Sequence, residues 1–307
     1  MSFYDLVFLA TVLTLSLLLL AYSAKVLVDS ASRVGDRLRI GQFAIGFLLL
    51  SVITSLPEML VAIFSVNKGV VGITLGDIFG SNVVNISFVT GLTLLIGRKK
   101  VTSVPLRDLA GVLYFSSLIP IILSIFKVWS RIAGLVLIAF FVLFSYLSII
   151  KGQRLASSEK SSVKLRRDII IIAMGAVGIV VGARLAVDTA ASLADLLGVT
   201  QLAIGAKIVS VGTSLPELVV ALQAARLGRY QMSLGTSVGS NLTNMTLILG
   251  TVFLLAPIQV NVQSLQLATT FVLIVTSTFW YFISRGTLGR IEGSILLAQY
   301  SLFLLIL

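Results

Sequence analysis

Two glutamates, Glu58 and Glu217, stand inside long apolar runs, each at the end of the same five residues. Thr54-Ser55-Leu56-Pro57-Glu58 returns as Thr213-Ser214-Leu215-Pro216-Glu217, 159 residues later. A carboxylate at membrane depth is costly and by default marks an ion path or a substrate site. The neighbouring residues extend that chemistry. Proline inside a helix has no N–H to give and clashes with the carbonyl four residues earlier. It therefore frees carbonyls around Ile53 and Thr54 in one copy and around Gly212 and Thr213 in the other. Freed carbonyls, hydroxyls and a carboxylate within a few residues make a hard, all-oxygen ligand set. Such a set suits calcium, which takes roughly 6–8 oxygens, and it also suits sodium.

A second element follows each copy. Gly76, Gly80-Ser81-Asn82, Asn85 and Gly91 recur as Gly235, Gly239-Ser240-Asn241, Asn244 and Gly250 at the same offset. Ser81 and Asn85 lie one helical turn apart and share a face, as do Ser240 and Asn244. The glycines let this helix approach its partner closely, and Asn82 and Asn241 read as glue between helices. Upstream, Gln42, Ala44, Ile45, Gly46 and Ser51 recur as Gln201, Ala203, Ile204, Gly205 and Ser210. Lys25 and Asp29 likewise find Arg184 and Asp188. An ungapped match of this reach is an internal duplication. The two i,i+4 charge pairs read as intrahelical salt bridges.

The elements that must position these residues follow from composition. Of 307 residues, 57% are hydrophobic and 11% charged, against about 25% charged in soluble domains. The mean hydropathy is +1.08. This is a polytopic membrane protein. The longest polar stretch, Lys151 to Asp168, is too short for a core of its own. Cysteine and histidine are absent, which excludes disulfides and thiolate metal sites and leaves proton chemistry to carboxylates. Asp5 in the leader argues for a retained first helix over a signal peptide.

Apolar runs of spanning length fall near 3–27, 40–66, 70–97, 108–126, 132–150, 168–193, 199–225, 231–256, 264–284 and 290–307. The expected fold is all-α, with ten transmembrane helices in two five-helix repeats. An odd count makes the second copy enter from the opposite side, so the repeats are inverted. The expected organisation is a first repeat over 1–150, a cytoplasmic linker over 151–167 and a second repeat over 168–307. Basic residues fix the orientation. Arg33, Arg37, Arg39, Arg98, Lys99, Lys100, Arg107, the linker's basic residues, Arg226, Arg229, Arg285 and Arg290 fall on one side. Only Lys68, Lys127 and Arg131 fall on the other, which puts both termini outside. The net charge of +11 is then a topology signal, and nucleic acid is not an expected partner.

Inverted symmetry brings Glu58 and Glu217 to one depth, facing each other. Two carboxylates in a low dielectric need a counter-charge, and their titrations are coupled. One divalent cation supplies it; so do two or three sodium ions, or protons. A site that alternates between these is the electrostatic core of an exchanger.

Thr-Ser-Leu-Pro-Glu followed by Gly-Ser-Asn-x-x-Asn, written twice in inverted copies, resembles the alpha-repeats of the cation/calcium antiporter superfamily. The likeness is to prokaryotic sodium/calcium exchangers and covers nearly the whole chain. It implies four ion sites in a diamond around the glutamates. On that pattern Glu58 and Glu217 bind calcium with the carbonyls of Thr54 and Thr213. Ser51, Thr54 and Ser81 line a sodium site on one side, and Ser210, Thr213 and Ser240 line another. Asn85 and Asn244 flank the middle. The first and sixth helices slide against a fixed core of eight.

The chain departs from that pattern at four positions. Ile53 stands where the second copy keeps Gly212. Asn244 stands where potassium-dependent relatives carry aspartate, which argues against potassium co-transport. Asp77 is an extra acid where the second repeat has Thr236, and it is read as an ion ligand in the access path or a proton acceptor. A bland pairing with a nearby base competes with that role. Lys207, at the place of Leu48, is expected to snorkel outward, the alternative being a fixed charge near the outer site.

The expected function is therefore sodium/calcium antiport in the cell membrane. Proton/calcium antiport on the same scaffold is the main alternative, and a passive cation channel fits less well. No nucleophile–base pair or metal triad marks an enzyme, and no cofactor is expected. The expected partners are calcium and sodium ions, with protons as an alternative, and the lipid bilayer; no protein partner is implied. The linker is too small for a calcium-sensing domain.

Overall fold

In lipid the backbone must satisfy its own polar groups, and a chain of apolar runs does so as helices. A computed structural model describes residues 3–37, 51–97, 104–126, 130–152, 165–226, 228, 230–256, 262–286 and 288–307. Every regular element among them is helical. The first half contains α1 (Phe3–Arg37), α2 (Ser51–Thr54), α3 (Leu56–Lys68), α4 (Val71–Val83), a π-helical segment π1 (Val84–Val89), α5 (Thr90–Ile96), α6 (Val104–Phe126) and α7 (Arg131–Gly152). The second contains α8 (Leu165–Leu197), α9 (Gln201–Ile204), π2 (Gly205–Val209), α10 (Ser210–Thr213), α11 (Leu215–Arg226), α12 (Tyr230–Thr243), π3 (Asn244–Ile248), α13 (Leu249–Leu255), α14 (Val262–Ser284) and α15 (Arg290–Ile306).

Several of these run end to end, and among the described residues they make ten helical rods, five in each half, as the apolar runs predict. Five described helices have the length and apolarity of a span outright. A sixth is the pair Gln201–Thr213 and Leu215–Arg226, bent by 43° at its break. The first half of the expected second span, 40–66, and most of the linker lie outside the described residues.

The duplication is visible bond by bond. Thr74 Oγ1 donates to the Ala62 carbonyl at 3.4 Å, and its counterpart Ser233 Oγ donates to Ala221 at 2.8 Å. Gly69 and Gly228 cap equivalent turns with φ of 77° and 73°. The π segments also recur, π1 in one repeat and π3 at the same place in the other.

Close backbone crossings lock the repeats together. A Cβ on Gly91 of α5 would meet the Gly293 carbonyl of α15 at 2.9 Å. Its symmetry mate, Gly250 of α13, would meet the Gly134 carbonyl of α7 at 2.9 Å. Thus the last helix of each repeat lies against the third rod of the other. Small residues permit such contacts in lipid, where dispersion and geometry replace the hydrophobic effect.

The interior divides into two apolar clusters. One joins α1 and α8 through Leu13, Leu17, Leu20, Ile179, Ala183 and Val187, with fringes on α3, α4 and the α9–π2 segment. A Cβ on Gly182 would stand 3.1 Å from the Leu20 backbone nitrogen along that pairing. The other cluster fills the remaining rods around Phe79, Phe253, Phe279 and Phe303. The α1–α8 pair is therefore a body with its own apolar seam.

One expected ion pair is corrected. Asp188 does not read as the intrahelical partner of Arg184; its Oδ1 lies 2.6 Å from Lys68 Nζ at the end of α3. The Lys68 side chain at the helix end can swing across to the neighbouring rod, and that geometry overrides the local i,i+4 option.

Candidate functional site

The Thr-Ser-Leu-Pro-Glu segments break their helices at a single residue. Ser55 has φ −83° and ψ 6°, and Ser214 has φ −83° and ψ 1°. The ladder resumes around each break. Ser55 N–H reaches the Ser51 carbonyl at 3.1 Å, and Ser214 N–H reaches that of Ser210 at 3.1 Å. Pro57 and Pro216 cannot donate to Ile53 and Gly212, so those carbonyls lose their helical partners.

Restarting after the break puts each glutamate in the first turn of a short helix, Glu58 on α3 and Glu217 on α11. The first turn of a helix lies at the positive end of its dipole.

All eleven expected site residues are buried: Ser51, Thr54, Glu58, Asp77, Ser81, Asn85, Ser210, Thr213, Glu217, Ser240 and Asn244. They come from α2, α3, α4 and π1 in one repeat and from α10, α11, α12 and π3 in the other. The grouping of hydroxyls differs from the expected one. Thr54 Oγ1 lies 3.1 Å from Ser240 Oγ. Ser81 lies with the other repeat, 3.3 Å from Thr213 Oγ1 and 3.5 Å from the Ser210 carbonyl. Each hydroxyl pair thus joins a broken helix of one repeat to the following rod of the other. Inversion interleaves the copies, so residues adjacent in the sequence motif face opposite sides.

Both oxygens of Glu58, both of Glu217, and the side-chain amides of Asn85 and Asn244 have no hydrogen-bond partner. Buried polar groups are paired in the great majority of cases. Thr213 lies near Glu58, and Thr54 and Ser240 lie near Glu217. The carboxylates also reach one another: Glu58 interacts electrostatically with Glu217 and Asp77, and Glu217 with Asp77. No lysine or arginine among the described residues acts on any of them. Lys207, on π2, is partly exposed. Buried acceptors with no protein donor are what cation ligands require.

Among the described residues no three acidic side chains converge into an all-carboxylate cluster, so a bound ion needs hydroxyls, amides and carbonyls as well. Ser55 and Ser214 belong on that roster although sequence reasoning passed over them. Their hydroxyls are buried, unpartnered and placed at the helix breaks. Their presence inside the repeated motif was the available signal. Of the two asparagines expected as glue, Asn241 acts so, its Nδ2 donating to the Asn82 carbonyl at 2.8 Å, whereas Asn82 Nδ2 donates within its own helix to the Ile78 carbonyl at 2.6 Å.

The profile of a family described as sodium/calcium exchanger protein matches residues 8–150 and 168–307. Sodium/calcium exchanger MaX1 of Methanosarcina acetivorans is 29% identical over 108 residues, 35% of this chain and 31% of that protein. Inner membrane protein YrbG of Escherichia coli is 34% identical over 84 residues, 27% of this chain and 26% of that one. The matched segments therefore span only about a third of those relatives or less. Among solved structures, the sodium-calcium exchanger NCX_Mj soaked with sodium and strontium superposes with a TM-score of 0.73 at 26% identity. That likeness covers 98% of this chain and 99% of the other.

Proposed function

The chain belongs to the sodium/calcium exchanger protein family, and from that premise we propose that it exchanges calcium for sodium across a membrane at its paired glutamates. The family is one of transporters, not of enzymes. One observation carries the finer reading: Glu58 and Glu217 are buried, mutually interacting and unpartnered, with no cationic side chain among the described residues to balance them. Calcium between them neutralises both. Sodium ions at the glutamates and beside the Thr54–Ser240 pair do the same, so one set displaces the other.

Hydroxyls and freed carbonyls supply the remaining oxygens, with Ser51, Ser210, Asn85 and Asn244 at the margins. The α1–α8 pair, bound to the rest by its own apolar seam, is the body that slides and exposes the site alternately to each side. The basic-residue bias supports both termini outside and the 151–167 linker in the cytoplasm, between repeats 1–150 and 168–307, with the cell membrane as the location.

The test is calcium flux in vesicles containing the purified chain. A sodium gradient at fixed pH should drive uptake, and Glu58→Gln or Glu217→Gln should abolish it in folded protein. Uptake driven only by a pH gradient without sodium would make the coupling ion the proton. Uptake retained in both glutamine variants would remove the glutamates from the mechanism.

A further inference from the structure

Asp77 breaks the twofold symmetry of the site. Its repeat counterpart is Thr236, so one side carries a carboxylate where the other carries a hydroxyl. The Asp77 side chain is buried on α4. Its Oδ1 accepts from Thr213 Oγ1 at 2.8 Å and from Ser81 Oγ at 3.3 Å. Its Oδ2 has no partner. The two hydroxyls lie 3.3 Å from each other, and Ser81 Oγ is 3.5 Å from the Ser210 carbonyl. Two carboxylate oxygens, two hydroxyls and a carbonyl thus converge on one side of the glutamate pair.

Charge decides what this cluster does. Calcium between Glu58 and Glu217 balances two negative charges and leaves the third at Asp77. No lysine or arginine among the described residues reaches it. A bland pairing with a nearby base is therefore not what the structure shows. A buried charge without a partner is expensive, and the penalty falls on any state that leaves it bare.

We propose that Asp77, with Thr213, Ser81 and the Ser210 carbonyl, holds an alkali-metal cation while calcium occupies the glutamates. The inference rests on calcium binding at those glutamates and adds a resident ion to it. Three carboxylates are then balanced by calcium plus one alkali cation, or by three alkali cations. Two alkali ions trade for one calcium, and the site keeps a constant charge through the cycle.

The experiment is binding of radioactive calcium, at a sub-saturating level, to the purified full chain in detergent. Sodium chloride, or potassium chloride in a parallel arm, replaces choline chloride at constant ionic strength and fixed, mildly alkaline pH. Bound calcium should rise severalfold as the alkali cation fills the Asp77 site, then fall as more of it competes at the glutamates. The salt that produces the rise identifies the occupant. Asp77→Asn, which keeps size and hydrogen-bonding capacity, should show only the fall. A purely falling curve in the unmodified chain, or an unchanged rise in the variant, overturns the proposal and leaves calcium at the glutamates standing. Absence of calcium binding at every salt level overturns the underlying reading instead.

Discussion

Gly76 and Gly205 meet where the two repeats cross. A Cβ on Gly76 would collide with the Leu202 carbonyl oxygen, and one on Gly205 with that of Ile73. The contacts are backbone to backbone, so no side chain can turn aside. This crossing sets the distance between α4, which carries Asp77 and Ser81, and the broken rod that carries Thr213 and Glu217.

Gly76→Ala or Gly205→Ala should therefore force the rods apart. Overpacking of this kind costs about 1–3 kcal/mol. The expected result is a thermal midpoint several degrees lower in detergent and a weakened site. Gly69→Asn is the control. That glycine has φ 77° with open space around it, a conformation asparagine tolerates. Equal stability of the crossing variants and the control would refute the account.

The unpartnered glutamates make a second prediction, about the ion-free protein. Removing one buried, unbalanced charge relieves a penalty, so Glu58→Gln or Glu217→Gln should raise the thermal midpoint in ion-free buffer. Calcium should raise it in the unmodified chain by linkage, about 2.7 kcal/mol at a hundredfold excess over the dissociation constant. The same calcium should leave both variants unmoved. A calcium shift that persists in either one would place the ion elsewhere.

Thr54 and Thr213 are equivalent by duplication but not by environment. Thr54 shares a neutral hydroxyl contact with Ser240 at 3.1 Å, whereas Thr213 donates to the Asp77 carboxyl at 2.8 Å. Hydrogen bonds to charged groups contribute about 1.5–3 kcal/mol, against about 1 for neutral ones. Thr213→Val should destabilise the chain by about 1 kcal/mol more than Thr54→Val. In an Asp77→Asn background the gap should close, which a double-mutant cycle measures. A gap unchanged by Asp77→Asn would show that the carboxyl is not its cause.

Much of this was legible in the sequence for definite reasons. Pro57 and Pro216 predict the helix breaks because a missing N–H is a covalent fact, and the structure puts the breaks at Ser55 and Ser214. The apolar runs predict the rods because lipid leaves the backbone few other options. What stayed hidden is relational. Periodicity tells which face Ser81 shares with Asn85, but not that Thr213 of the other repeat covers it. The π segments carry no signal in residue type. At π1, Thr90 Oγ1 reaches back five residues to the Asn85 carbonyl at 2.9 Å, a register a heptad count does not contain. The i,i+4 spacing pairs Asp188 with Arg184, and the bridge to Lys68 is a tertiary choice.

That bridge yields the last prediction. Lys68 and Asp188 are 43% and 47% exposed, and exposed pairs contribute about 0–1 kcal/mol. Lys68→Ala should hardly change stability. The pair nevertheless joins α3, which carries Glu58, to α8, half of the body proposed to slide. The chain has no native cysteine, so Lys68→Cys with Asp188→Cys can be linked without side reactions. The side-chain reach of lysine makes a short bis-maleimide a better link than a direct disulfide, which needs Cα atoms within about 7 Å. The uncrosslinked double variant should carry calcium normally, and the linked protein should stop while still binding it. Flux that survives linkage would mean that α8 keeps its place against α3 throughout the cycle, and that another pair of rods opens the site.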